Sequence, residues 1–257
     1  MNTRRPISFL SATLCGLALG AAVLLAGCGG GGGNGNSGGS PNTGTNSGGT
    51  GGASLAAGSY QGVYLNTSGQ YSPDAGTIAF TVSPTGAVSG ADIDYTGDGS
   101  TNNLTGTVSS TGALVTNAVS GTVSQNSTTH VFTTSYTESN GTKGMLSVGL
   151  APTASPLAGS YSGTVMNSKQ QLPMTLSISS VGIVTGTVGT PSVANQGFNL
   201  TGYVDTSGNV YLAYNSGGVP ADSVGNLSLN GTALSGTFQE TGSDGSGGAF
   251  TASLTKQ

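Results

Sequence analysis

His130 is the only histidine of the chain, and it limits the catalytic chemistry available. A Ser–His or Cys–His pair must use it, together with a carboxylate that orients the ring. The surrounding Thr128–Phe132 indicates the start of a β-strand, so an exposed histidine at a strand end is the simpler interpretation. Metal sites built from clusters of His and Cys are excluded, because the chain has one His and two Cys. We predict no catalytic residues, no enzymatic activity and no cofactor.

Asp92, Asp94 and Asp98 form a dense acidic group. The segment Asp92–Gly97 matches the first six positions of an EF-hand calcium loop, with oxygen-bearing side chains at positions 1, 3 and 5 and Gly at position 6, but Asn103 stands where that loop needs a bidentate Glu, and no helix pattern flanks it. We therefore predict a polar turn between two strands, with these three residues as candidate ligands if calcium binds in another geometry. Acid–base catalysis by two carboxylates is not predicted, because Val188–Thr190, the equivalent segment later in the chain, has none.

Cys28 is the residue whose surroundings indicate a covalent modification. Arg4 and Arg5 precede the apolar stretch Ile7–Leu25, and the small residues Ala26 and Gly27 lead directly to the cysteine. A basic, then apolar, then small-residue order is typical of a secretory signal. A transmembrane anchor is the alternative, since about 20 apolar residues can just span a bilayer.

The segment Leu25-Ala26-Gly27-Cys28 resembles the lipobox of bacterial lipoproteins. The resemblance implies that Leu25, Ala26 and Gly27 are recognised by the signal peptidase, that residues 1–27 are removed, and that Cys28 carries a diacylglycerol and a further acyl chain such as palmitate. Several acyl chains give stable membrane anchoring. Gly29, in place of the Asp that retains lipoproteins in the inner membrane, implies the outer membrane.

The charged residues are few: five Lys and Arg stand against nine Asp and Glu. A nucleic-acid binder is excluded, because it needs a stripe of Lys and Arg to neutralise phosphates, and so is a polybasic membrane-surface protein. Residues 28–54 follow the signal, and 13 of the 25 residues from 29 to 53 are Gly. We predict that this segment is a flexible linker.

Beyond the linker the chain repeats itself. Ala57–Gly62 recurs as Ala158–Gly163, and Asn103–Val108 recurs as Asn199–Val204. A period near 100 residues indicates duplicated domains rather than a solenoid. We predict one domain over residues 55–151 and a second over residues 156–257.

Apolar residues alternate with Thr and Ser within each repeat, which is the pattern of half-buried β-strands. The predicted strands start near Ser59, Gly76, Gly86, Asn103, Gly112, Ser120, His130 and Lys143, and near Ser160, Leu172, Gly182, Asn199, Gly208, Val224, Ala233 and Gly247. Short turns ending in Gly make consecutive strands antiparallel neighbours. We predict an all-β protein of two tandem antiparallel meander β-barrels, with a barrel-like sandwich as the alternative, because closure removes sheet edges.

The Gly-Ser-Tyr-x-Gly opening followed by Thr-Gly-Thr strands resembles avidin-type eight-stranded barrels and the barrels of bacterial surface lipoproteins of the transferrin-binding and factor H-binding kind. Biotin binding does not carry over, because avidin-type sites use Trp and this chain has none. The leading prediction is a non-enzymatic lipoprotein of the cell envelope that contacts a protein or envelope partner or has a structural role. The alternative is a carrier that holds a small ligand inside a barrel.

Overall fold

The computed structural model of the chain describes residues 55–70, 72–96, 99–167, 170–191 and 197–257. The predicted signal peptide, Leu25, Ala26, Gly27, the lipidation site Cys28 and the linker lie outside the described residues, and so does Asp98. None of the described residues belongs to a helix long and apolar enough to cross a membrane.

The described residues form two closed antiparallel barrels in tandem, as predicted. The first barrel contains β1 (Gly58–Ser68), β2 (Asp74–Val82), β3 (Ala87–Asp94), β4 (Thr101–Val108), β5 (Ala113–Thr116), β6 (Val119–Thr122), β7 (Ser124–Gln125), β8 (Phe132–Glu138) and β9 (Lys143–Leu150). The second contains β10 (Gly159–Met166), β11 (Gln171–Ile178), β12 (Ile183–Gly189), β13 (Gly197–Val204), β14 (Asn209–Ser216), β15 (Val219–Asn230), β16 (Ala233–Gly242) and β17 (Gly247–Lys256).

Each barrel closes through a pairing between strands that are distant in sequence. In the first barrel β1 pairs with β9, and β6 pairs with β8, so eight strands form the ring. The two-residue β7 pairs only with β8 and was not predicted. In the second barrel β10 pairs with β17 and all other neighbours are consecutive.

Two differences from the predicted strands have a local cause. Strand β15 begins at Val219, five residues before the predicted start, because Gly217 and Gly218 both adopt positive φ and form a two-residue hairpin that pairs Ser216 with Val219. His130 also adopts a positive φ, of 61°, and lies in the turn before β8 rather than at its first residue.

Glycine lets neighbouring strands of the barrel wall approach closely. A Cβ atom on Gly62 of β1 would lie 1.9 Å from the Ser147 carbonyl oxygen, and one on Gly163 of β10 would lie 2.2 Å from the Ser253 carbonyl oxygen. Both contacts are with backbone, which cannot move without opening the ladder. These two glycines occupy equivalent positions in the two repeats.

Each barrel has its own apolar core, and a smaller cluster joins the two. Val63 of β1 and Val131 of the first barrel pack with Tyr211, Ala213 and, partly buried, Val224 of the second. All described residues, from 55 to 257, belong to one compact unit. Independent folding of the two barrels stays a prediction.

Polar contacts extend the junction between the barrels. Gln61 Nε2 donates to the Val204 carbonyl at 2.9 Å, and Asn209 Nδ2 donates to the Thr129 carbonyl at 2.7 Å. Because the outer faces of β1 and β14 meet the other barrel while their inner faces line a core, Tyr60–Asn66 of β1 and every residue of β14 except Asn215 are buried. They have almost no solvent-facing side.

Candidate functional site

Both barrels contain a cavity at the same end. The first mouth is the end of the first barrel where β1 meets β2, β3 meets β4, β5 meets β6 and β8 meets β9, and its cavity has a volume of about 760 Å³. The second mouth is the end of the second barrel where β10 meets β11, β12 meets β13, β14 meets β15 and β16 meets β17, and its cavity has a volume of about 140 Å³. The duplicated fold therefore offers two candidate sites.

Strand register shows which residues of the two barrels are equivalent. Tyr60 pairs with Phe80 in the first barrel as Tyr161 pairs with Leu176 in the second. Continuing along the same ladders, the pair Asp92–Asn102 is equivalent to Val188–Phe198. The pair Tyr136–Gly144 is equivalent to Phe238–Phe250, which makes Glu138 the counterpart of Glu240 two residues further on. The two mouths can be compared residue by residue.

A network of hydrogen bonds around Asp74 lies at the first mouth. Tyr64 Oη donates to Asp74 Oδ2 at 3.1 Å, and Thr96 Oγ1 donates to Asp74 Oδ1 at 2.8 Å. Asp74 begins β2 and its side chain lies on the inward face with Ile78 and Phe80. The barrel interior therefore ends in a carboxylate held by two hydroxyl groups.

Further polar groups complete the lining of the first mouth. Asn102 Nδ2 donates to Asp92 Oδ2 at 3.2 Å, and Asn140 Nδ2 donates to Glu138 Oε2 at 3.0 Å. Deeper in the barrel, Tyr136 Oη donates to the side-chain oxygen of Asn66. The floor below these groups is apolar and consists of Ile78, Leu104, Leu146 and Val119.

The first mouth is electrostatically negative. None of the described residues that line it is Lys or Arg, whereas Asp74, Asp92, Asp94 and Glu138 all contribute. Burial and the neighbouring Asp94 raise the pKa of Asp74 to about 6, and burial raises the pKa of Asp92. Burial also raises the pKa of the Tyr64 and Tyr136 hydroxyls, with the nearby carboxylates adding to it, so both remain neutral donors.

The second mouth is mostly apolar. Its walls include Leu172, Met174, Val188, Leu200 and Leu212, with Phe198 and Phe250 near the opening. Phe198 stacks on Tyr214 at a ring-centroid distance of 4.7 Å, and Phe238 stacks on Phe250 at 5.0 Å. A single buried carboxylate, Glu240, faces this cavity and accepts a hydrogen bond from Tyr214 Oη at 2.6 Å.

The residues predicted from the sequence fall in different places. Asp92 and Asp94 lie at the end of β3 and line the first mouth, whereas Asp98 is outside the described residues. Among the described residues, no group of three or more His, Cys, Asp and Glu side chains is arranged to hold a metal ion. His130 is exposed at the opposite end of the barrel, because β8 runs from Phe132 to Glu138 and its Glu138 end lies at the mouth.

Sequence reasoning missed most of the polar lining, including Tyr64, Asp74, Tyr136 and Glu240. One signal was available for Asp74: it shares the alternating phase of Ile78, Phe80 and Val82, which the sequence assigned to one face. A carboxylate in phase with a buried face, at the end of a strand, indicates the rim of a barrel. The same phase places Tyr64 on the inward face with Tyr60.

Comparisons with known proteins leave the function open. No protein-family model matches the chain, and no curated protein matches it. One solved structure, a protein of unknown function from the DUF3598 family of Nostoc punctiforme, aligns with 78% of this chain and 96% of its own. The TM-score is 0.23 and the sequence identity is 8%, so this similarity supports no functional argument.

Proposed function

We propose that the chain is a lipid-anchored protein of the cell envelope, at the outer membrane as Gly29 implies, whose first barrel binds a small polar ligand at its mouth. Two closed β-barrels are compatible with a binding or a structural module. The observation that favours binding is the cavity of about 760 Å³, which falls within the usual size of ligand pockets, roughly 300–1,000 Å³.

The lining of the first mouth restricts the class of ligand. Carboxylates, side-chain amides and phenolic hydroxyls surround an apolar floor, and no described lining residue is cationic. An anionic ligand would be repelled by Asp74, Asp92 and Glu138, whereas a ligand rich in O–H or N–H donors would satisfy them. The ligand we propose is therefore a neutral or cationic molecule that carries several hydrogen-bond donors.

Binding without catalysis is the proposed mode of action. The chain has one histidine, and it lies away from the cavity. The side chains of the first mouth are paired with one another, as Tyr64 is with Asp74, and this arrangement orients acceptors toward a guest.

Native mass spectrometry of the intact protein, extracted with mild detergent from the membranes that contain it, tests the proposal. We expect a stoichiometric small-molecule adduct. The double variant Asp92→Val and Asn102→Phe replaces this pair in the first mouth by the side chains found at the equivalent positions of the second. The adduct should then disappear. The reciprocal variant Val188→Asp and Phe198→Asn alters only the second mouth and should retain it. If no adduct appears in the wild type, the surface-interaction or structural role predicted from the sequence replaces ligand binding.

The membrane anchor is tested separately. Labelled palmitate should be incorporated into the wild type and absent from Cys28→Ala. Equal incorporation into both would contradict the anchor and leave ligand binding in the first mouth unaffected.

A further inference from the structure

Glu240 is a buried carboxylate near the mouth of the second barrel. It is 7% exposed and sits on β16 among apolar neighbours. Its Oε2 accepts from Tyr214 Oη, and that hydroxyl lies 2.5 Å from Ser223 Oγ, which is therefore its donor. The chain of hydroxyls fixes one oxygen of Glu240 and orients the carboxylate.

The other oxygen of Glu240, Oε1, has no hydrogen-bond donor among the described residues. Among the described residues, Tyr214 is the one hydrogen-bond partner of the Glu240 side chain. Within the described part of the chain, the side-chain atom that is both inaccessible and without a hydrogen-bond partner is Ser216 Oγ. The free oxygen of Glu240 is therefore not enclosed by protein. Since Glu240 lines the cavity, Oε1 is open to whatever occupies it. A buried carboxylate oxygen without a donor is unfavourable, so the site favours a guest that donates to it.

The cavity has the volume of one aromatic ring. At about 140 Å³ it is close to the roughly 150 Å³ apolar cavity that binds benzene in an engineered protein. Phe198, Tyr214 and Phe250 contribute to its wall; Phe198 stacks on Tyr214, and Phe250 is backed by a stacked Phe238. Flat, polarisable surfaces of this kind pack well against another ring.

The charges near Glu240 favour a cation over a neutral donor. Asp244 and Asp222 are its charged neighbours, and both are acidic. Of the two lysines among the described residues, Lys256 donates to the Ala158 carbonyl at the other end of the barrel, and Lys143 is on β9 of the first barrel. Lys169 lies outside the described residues.

We propose that the second barrel is a separate binding site for a small aromatic amine, with the ring among Leu200, Phe198 and Phe250 and the ammonium group donating to Glu240 Oε1. This site goes beyond the polar-ligand site of the first barrel, differs from it in ligand class, and stands or falls independently of it.

Calorimetric titration of the intact protein with benzylamine and benzyl alcohol tests the proposal. The two probes share the ring and differ in charge. We expect saturable binding of benzylamine and an affinity for benzyl alcohol that is lower by about tenfold, because a charge-assisted hydrogen bond is roughly twice as strong as a neutral one. Equal affinities for the two probes, or no binding of either, would overturn it.

Variants assign the effect to one side chain. Glu240→Gln should weaken benzylamine by about tenfold and leave benzyl alcohol within about twofold, and this retained binding shows that the barrel is folded. Asp244→Asn removes a nearby charge outside the cavity and should weaken benzylamine binding less than Glu240→Gln does. Lys169→Gln should also have little effect; an increase of about tenfold or more would show that Lys169 already occupies the cation position, and would contradict the proposal.

Discussion

The two barrels have walls built in the same way, but the side chains that line their mouths differ. Tyr60 and Tyr161 occupy equivalent positions, and each hydroxyl donates to the carbonyl four residues earlier, to Ala56 at 2.9 Å and to Leu157 at 2.7 Å. At the mouths the equivalent pairs diverge, with Asp92–Asn102 in the first barrel and Val188–Phe198 in the second. Closure therefore depends on positions that the duplication kept, while the rim is free to change its ligand chemistry.

Glu138 and Glu240 show that environment decides what an equivalent residue does. In the first mouth Glu138 is partly exposed and paired with Asn140. In the second, apolar neighbours bury Glu240, and that burial raises the pKa of its carboxyl group. The same side chain belongs to a wide polar rim in one barrel and is the polar end of a narrow apolar cavity in the other.

The largest expected effect comes from the two equivalent glycines in the barrel walls, Gly62 and Gly163. Gly62→Ala and Gly163→Ala each place a methyl group against backbone, and we expect each to lower the free energy of unfolding of its own barrel by more than about 3 kcal/mol. Differential scanning calorimetry of the full chain should show one transition lost or lowered while the other persists. Loss of both barrels in either variant would show that they fold as one unit.

Asp222, on the face of the second barrel that meets the first, should give the next largest effect. Ser223 points inward to Tyr214, so Asp222 points outward, where burial together with Glu240 raises its pKa to about 7. Between about pH 4 and pH 7 the folded carboxyl keeps a proton that the unfolded chain has released. Stability should therefore fall as the pH rises through this range and level off above it.

Asp222→Asn tests that dependence. The variant should be more stable than the wild type at pH 8 by on the order of 2 kcal/mol, and nearly equal to it near pH 4. Urea unfolding at both pH values measures the difference. A smaller slope should remain, because the pKa values of Asp74, Asp92 and Glu240 are also raised. Equal destabilisation at both pH values would show that the carboxylate makes a favourable contact between the barrels.

The equivalent tyrosines offer a smaller, symmetric test. Tyr60→Phe and Tyr161→Phe each remove one hydrogen bond to a backbone carbonyl, and each should lower stability by about 1 kcal/mol. Tyr161→Phe should have the larger effect, because its hydrogen bond is buried and that of Tyr60 is partly exposed. Thermal melts of the two variants side by side measure this. A difference of several kcal/mol between the two variants would contradict the view that these tyrosines have the same role in the two barrels.

Calcium should have the smallest effect. We expect millimolar calcium, compared with excess chelator, to shift the melting temperature of the full chain by less than about 1 °C, because an ion that does not bind the folded state cannot stabilise it. A shift of several degrees that Asp94→Asn abolishes would show that Asp92, Asp94 and Asp98 form a metal site after all.

The sequence predicted the wall better than the lining. Alternation of residues such as Ile78, Phe80 and Val82, with Gly-ended turns, was enough to predict two eight-stranded barrels, because both signals are local. Asp74, Tyr136 and Glu240 escaped notice because their surroundings are side chains of other strands that face the same barrel interior, such as Tyr64 of β1 for Asp74 and Tyr214 of β14 for Glu240. Cavity volume escaped as well, since it depends on how all eight strands close.

Strands β1 and β14 have almost no solvent-facing side, and this has a consequence for the order in which the molecule opens. Exchange of a backbone amide with solvent requires a local opening, and its free energy rises with the apolar contacts that must break. Val63 and Leu65 of β1 and Tyr211 and Ala213 of β14 are fully buried on the outer face, while the inner face belongs to a core. The amides of these two strands should therefore exchange last, and those at the junction between the barrels should exchange more slowly than those at the mouths.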